Sequence, residues 1–66
     1  MLVRFGRKVR MEREKRNISQ EKFGEMADVH RTYVGMIERG EKNITLLNIE
    51  KIASAFDIPL RQLMDF

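Results

Sequence analysis

The sequence predicts an all-α fold, a compact arrangement of five short helices, and three observations carry that expectation. Apolar residues recur at three- and four-residue spacing, as they do where a helix buries one face. No stretch alternates apolar and polar residues cleanly with β-branched enrichment, so strands are not expected. Residues that cap or break helices, from Asn17 and Ser19 to Asp57 and Pro59, interrupt the apolar pattern at short intervals.

Helix α1 is expected over about 3–16, where Phe5 and Val9 stand one turn apart among Arg, Lys and Glu, all good helix formers. Asn17 ends it, being favoured in the left-handed conformation past a helix C-terminus. Ser19 is placed as an N-cap with Glu21 in the first turn. It opens α2 over about 20–27, with Phe23, Met26 and Ala27 on one face. A break at Asp28-Val29-His30 precedes α3 over about 31–38, with Val34 and Ile37 inward and Gly40 as its stop. After the polar loop Glu41-Lys42-Asn43, Thr45 is expected to cap α4. Leu46, Ile49, Ile52, Ala53 and Phe56 form the inward stripe of that helix. Asp57 ends α4, and Pro59 opens α5 through Leu60, Leu63 and Met64. No linker, repeat or low-complexity stretch occurs, so residues 1–66 are expected to form a single domain.

Composition removes several function classes. A hydrophobic fraction of 42% beside a charged fraction of 35% suits a small folded domain and not a disordered tail. No apolar run is long enough for a membrane span or a signal peptide, so no membrane partner is expected. There are no cysteines, which fits a reducing, cytoplasmic setting and removes thiolate metal sites. His30 is the only histidine, and no phosphate loop, dinucleotide fingerprint or nucleophile elbow occurs. Neither a metal nor a cofactor is expected, and an enzyme is not expected either.

Charge is unevenly placed. Residues 1–16 hold seven cations (Arg4, Arg7, Lys8, Arg10, Arg13, Lys15, Arg16) against Glu12 and Glu14, a balance of +5 on a chain whose net charge is +3. Such a segment suits a partner that carries phosphate, or a well-solvated helix.

The sharp signal lies in the middle. Two helices of about eight residues around a three-residue turn match a helix-turn-helix, whose second helix enters the DNA major groove. That motif needs a small residue where the helices cross, a residue tolerant of positive φ in the turn, and an apolar plug after it. Gly24, Asp28 and Val29 supply these in order.

Ser19-Gln20-Glu21-x-Phe23-Gly24, then Val29, then Tyr33-Val34-x-x-Ile37-Glu38-Arg39-Gly40, resembles the phage-repressor (Cro/repressor, XRE-type) helix-turn-helix family. The likeness continues through Asn43-Ile44-Thr45-Leu46 and Ile49-Glu50-Lys51-Ile52-Ala53, nearly the whole chain. Within that family, His30-Arg31-Thr32-Tyr33-Val34, Ile37-Glu38-Arg39-Gly40 and Asn43-Ile44-Thr45 resemble the controller proteins of restriction-modification systems. The implied fold is a lambda-repressor-like domain. Three positions depart from the family pattern: Gly24 stands where Ala is usual, Asp28 where Gly is common, and Glu12 where an apolar residue faces the core. Either α1 shifts locally or Glu12 finds a basic partner.

Site residues follow from the motif and the resemblance. Arg31 and Thr32 open the recognition helix, where base edges are read; Arg31 can present a fork to guanine and Thr32 a methyl to thymine. Gly35, by letting the backbone approach, and Met36 lie one turn on. Phosphate contacts are expected from Gln20 at the start of α2, from the Tyr33 hydroxyl, and from Lys42 and Asn43 in the following loop. His30 is expected only to start the helix, and Arg39 to favour its C-terminal dipole. The resemblance implies a partly buried ion pair between Arg13 and Glu38.

Leu47, Ile58, Leu60, Leu63, Met64 and Phe66 exceed what one short helix buries, so residues 47–66 are expected to form a homodimer. Double-stranded DNA with a two-fold related operator is then the expected ligand. The controller resemblance implies activation at low occupancy and repression at high occupancy of its own and a nuclease gene's promoter, with RNA polymerase as a further partner. With no second domain expected, regulation would run through dimer concentration and not through a small effector. A repressor or antitoxin of another mobile element, or an interaction module on the same fold, are the other readings.

Overall fold

The computed structural model describes residues 1–66 and holds five helices: α1 Leu2–Lys15, α2 Gln20–Ala27, α3 Arg31–Glu38, α4 Leu46–Phe56 and α5 Leu60–Leu63. There is no strand. Helix α1 lies one residue earlier at each end than expected, because Arg16 already leaves helical geometry ahead of Asn17.

The first four helices stop in the same way. Asn17, Asp28, Gly40 and Asp57 all have positive φ, between 55° and 72°. In each case the next residue's N–H bonds a carbonyl five positions back: Ile18 to Arg13, Val29 to Gly24, Glu41 to Met36 and Ile58 to Ala53, at 2.9–3.3 Å. This closure satisfies end carbonyls and turns the chain sharply. Only Gly40 takes the left-handed conformation without side-chain strain; Asn and Asp tolerate it better than other residues do. Starts are capped as expected: Ser19 accepts from the Lys22 N–H at 3.0 Å and Thr45 from the Asn48 N–H at 3.2 Å.

The core is Phe5, Val9, Phe23, Ala27, Val34, Ile37, Ile52, Ala53, Phe56 and Leu63. Phe23 of α2 stacks on Phe56 of α4 with centroids 4.3 Å apart. Two glycines allow the helices to close on one another. A Cβ on Gly24 would stand 2.7 Å from the Val29 carbonyl, and one on Gly6 would collide with the Ile37 carbonyl of α3. The Gly24 crossing matches expectation, whereas Gly6 carried no recognisable signal.

Two inward assignments are corrected. Leu46 is exposed, because it is the first residue of α4 and the core begins a turn later with Ile49 and Ile52. Met26 is exposed as well: Phe23 and Ala27 alone face the core, and Met26 falls on the flank.

Glu12 is buried and finds basic partners, with no break in α1. Arg16 Nη1 donates to Glu12 Oε1 at 2.7 Å, Lys8 Nζ lies 3.1 Å from Oε2, and Lys15 Nζ lies 3.4 Å from Oε1. The Arg16 hydrogen bond, aided by both lysines and opposed by burial, lowers the Glu12 pKa from 4.5 to about 2. Arg16 also donates from Nη2 to the Phe56 carbonyl at 3.0 Å and stands 4.7 Å from the Phe56 ring centroid. One side chain thus ties α1 to the end of α4.

Candidate nucleic-acid interface

Helices α2 and α3 meet through Gly24 and the turn Asp28-Val29-His30, so the start of α3 emerges beside α2. His30 caps α3, its Nδ1 accepting from the Thr32 N–H at 3.0 Å. Val34 and Ile37 anchor the helix in the core, while Arg31 and Thr32, its first two residues, are exposed. A short helix with a buried rear face and an open N-terminal turn is the shape that a major groove accepts.

The rear of α3 is clamped. Arg13 of α1 meets Glu38 through two hydrogen bonds, Nε to Oε2 at 2.7 Å and Nη2 to Oε1 at 3.0 Å. Its Nη1 reaches the Ile18 carbonyl at 2.8 Å. The Glu38 hydrogen bond raises the Arg13 pKa, against burial. Gln20 closes the cluster, its Nε2 donating to Glu38 Oε1 at 3.1 Å. The side chain expected to meet phosphate is therefore half-buried and oriented by the ion pair, with the second Nε2 proton left to donate.

Other expected contacts separate into open and engaged groups. Lys42 and Asn43 are exposed in the loop after α3, and neither has a side-chain bond. The Tyr33 hydroxyl accepts from Asn48 Nδ2 at 3.0 Å, which leaves its own proton free to donate outward. Met36 is half-buried. Gly35 is a correction: it is buried, because the Gln20 amide and the Arg39 guanidinium lie over it. Those side chains, not bare backbone, form the surface there.

Two ion pairs on this face had no counterpart in the sequence reading. Arg31 Nη1 donates to Glu21 Oε2 at 2.7 Å, and Arg39 grips Glu41 through Nε and Nη2 at 2.8 and 3.2 Å. The second pair raises the Arg39 pKa and lowers that of Glu41, each through their shared hydrogen bond. Opposite charge ten residues apart was visible, but nothing in its spacing indicated contact across a turn.

The C-terminal apolar set is reduced. Leu63 is fully buried at 0% exposure in the core of its own chain, so it cannot line a contact between chains. The four-residue α5 folds back on α4 and turns Leu63 inward. Ile58 and Met64 pack partly on the same core. Leu47, Leu60 and Phe66 stay exposed at 62%, 37% and 43%, with the Phe66 ring edge-on to Phe5 at 6.2 Å. No helix is long and apolar enough to cross a membrane.

Comparison with known proteins gives the family of the chain. A helix-turn-helix family model matches residues 9–63. The chain is 51% identical over 63 residues to control protein C.BamHI of Bacillus amyloliquefaciens, covering 94% of this chain and 78% of that one. It is 42% identical over 62 residues to control protein C.MunI of a Mycoplasma species, covering 92% and 84%. In three dimensions it resembles the restriction-modification controller protein C.AhdI of Aeromonas hydrophila, with a TM-score of 0.92, 44% identity and 94% of each chain covered.

Proposed function

The chain belongs to the helix-turn-helix family, and from that premise we propose that it is a sequence-specific DNA-binding regulator that controls a restriction-modification operon. One observation carries the reading: Arg31 and Thr32 stand open at the start of α3 while Val34, Ile37 and the Arg13–Glu38 pair hold the helix from behind. A rigid rear and an exposed front are what base reading requires. Arg31 reads a guanine edge and Thr32 a thymine methyl, with Met36 one turn deeper. Gln20, Tyr33, Lys42 and Asn43 grip the flanking phosphates.

The regulator acts as a homodimer on a two-fold related operator. A single chain spans 24 Å at most, short of the roughly 34 Å between successive major-groove faces. Leu47, Leu60 and Phe66, with the outer edges of Ile58 and Met64, form the surface that pairs. The dimer works in the cytoplasm on the nucleoid, and RNA polymerase is the partner through which occupancy becomes transcription.

Two measurements test this. Selection from random duplex DNA should return an inverted repeat, and that repeat should lie upstream of the chain's own gene beside a nuclease gene. Recovery of no preferred sequence would remove the reading. Sedimentation at micromolar concentration should give twice the chain mass, and Leu60→Glu should move it toward monomer while lowering operator affinity. A wild type that stays monomeric on and off DNA would remove the dimer.

A further inference from the structure

Three arginines near α3 are paired, and they differ in which edge of the guanidinium is used. Arg13 spends its side edge, Nε and Nη2, on Glu38. Arg39 spends the same edge on Glu41. Arg31 is held by Nη1 alone, at 2.7 Å from Glu21, and no hydrogen bond takes its Nε or Nη2. Guanine presents O6 and N7 as two coplanar acceptors, which match two parallel N–H donors on one edge of an arginine. Of the three, only Arg31 keeps the side edge open.

We infer that Glu21 is a positioning residue for base reading: from α2 it anchors Arg31 by Nη1 and leaves the Nε–Nη2 edge presented to a guanine. The inference rests on α3 being the recognition helix. A free arginine loses much rotamer freedom when it docks, and an anchored one has lost part of it beforehand. The same carboxylate repels phosphate, so at this place the protein favours a base edge over the backbone. Removing it should therefore act with opposite sign on the two kinds of DNA. Glu25 lies one turn further along the same helix, exposed and without an ion pair, and it supplies the matched control.

The experiment compares wild type, Glu21→Ala, Glu21→Gln and Glu25→Ala on the duplex recovered by selection and on a scrambled duplex. The base pair whose preference Arg31→Ala relaxes is identified first, and discrimination there is the readout. Glu21→Ala should bind the selected duplex about three- to ten-fold more weakly, from the cost of ordering one long side chain per protomer. Scrambled DNA should bind no more weakly than to wild type, and discrimination at the Arg31 position should fall. Glu21→Gln keeps an acceptor oxygen and should restore part of it. Glu25→Ala should shift both duplexes together and leave discrimination intact. Unchanged discrimination in Glu21→Ala, or an equal fall in Glu25→Ala, overturns the inference while the recognition helix stands. A wild type without preference for any duplex removes the recognition helix itself, and the inference with it.

Discussion

Two arginine–glutamate pairs at α3 have the same closest distance, 2.7 Å, and opposite surroundings. Arg13 and Glu38 are 12% and 4% exposed, behind the helix; Arg31 and Glu21 are 63% and 65% exposed, at its front. Burial removes water as a competitor, so the rear pair has no alternative partner and becomes part of the scaffold. At the front, water screens the attraction and the pair is worth at most about 1 kcal/mol, so a nucleic acid can engage the same guanidinium. The chemistry is identical. Surroundings decide which pair is locked into the fold and which stays accessible from solvent.

The largest consequence concerns the rear pair. Glu38→Ala leaves Arg13 and the Gln20 amide short of their acceptor and should lower stability by roughly 2–4 kcal/mol. Arg13→Met with Glu38→Leu removes both charges together and should cost less than the two single changes combined. Denaturant unfolding of wild type, Glu38→Ala, Arg13→Met, Glu38→Leu and the double variant measures this. Small additive losses would show that the rear pair behaves like the front one and would dissolve the contrast.

Glu12 is a second buried carboxylate and extends the comparison along α1. Its folded pKa, about 2, lies below the ordinary 4.5, because Arg16, Lys8 and Lys15 favour the charged form. A lowered folded pKa means that the native state is stabilised above pH 4.5 and loses that contribution as the pH falls toward about 2. The loss should be on the order of 2 kcal/mol, read from thermal unfolding between neutral and acid pH. Glu12→Gln should flatten that part of the profile. Parallel profiles for wild type and variant would show that the carboxylate is not held by its cations.

What the sequence disclosed follows the same division between local and distant causes. Asn17, Ser19, Asp28, Gly40, Thr45 and Asp57 act on their own neighbours, and all were legible as caps or left-handed stops. The Gly24 crossing was legible because the turn beside it constrains both helices. Leu63 was misplaced because its burial depends on where α5 folds, and Leu46 because the core beneath the start of α4 ends early. The Arg16 bridge to Phe56 spans 40 residues, and no local pattern announces it. Open side chains were easier than covered ones: Thr32, Lys42 and Asn43 stand exposed and unpaired and Arg31 is exposed though bound to Glu21, whereas Gly35 is hidden by Arg39 and Gln20.

The smallest effect on stability belongs to the front of α3, where Arg31→Ala should change unfolding by no more than about 0.5 kcal/mol. Its effect on DNA is the central matter. The most direct measurement is the affinity of Arg31→Ala and Lys42→Ala for the selected operator and for scrambled duplex, each over a range of salt. Arg31→Ala should cost about 1–3 kcal/mol on the operator and much less on scrambled DNA, because only the operator places a guanine opposite it. Lys42→Ala should weaken both comparably and lower the salt slope by about one ion per lost contact. Equal losses on both duplexes for Arg31→Ala would make it a phosphate contact and contradict α3 as the reading helix.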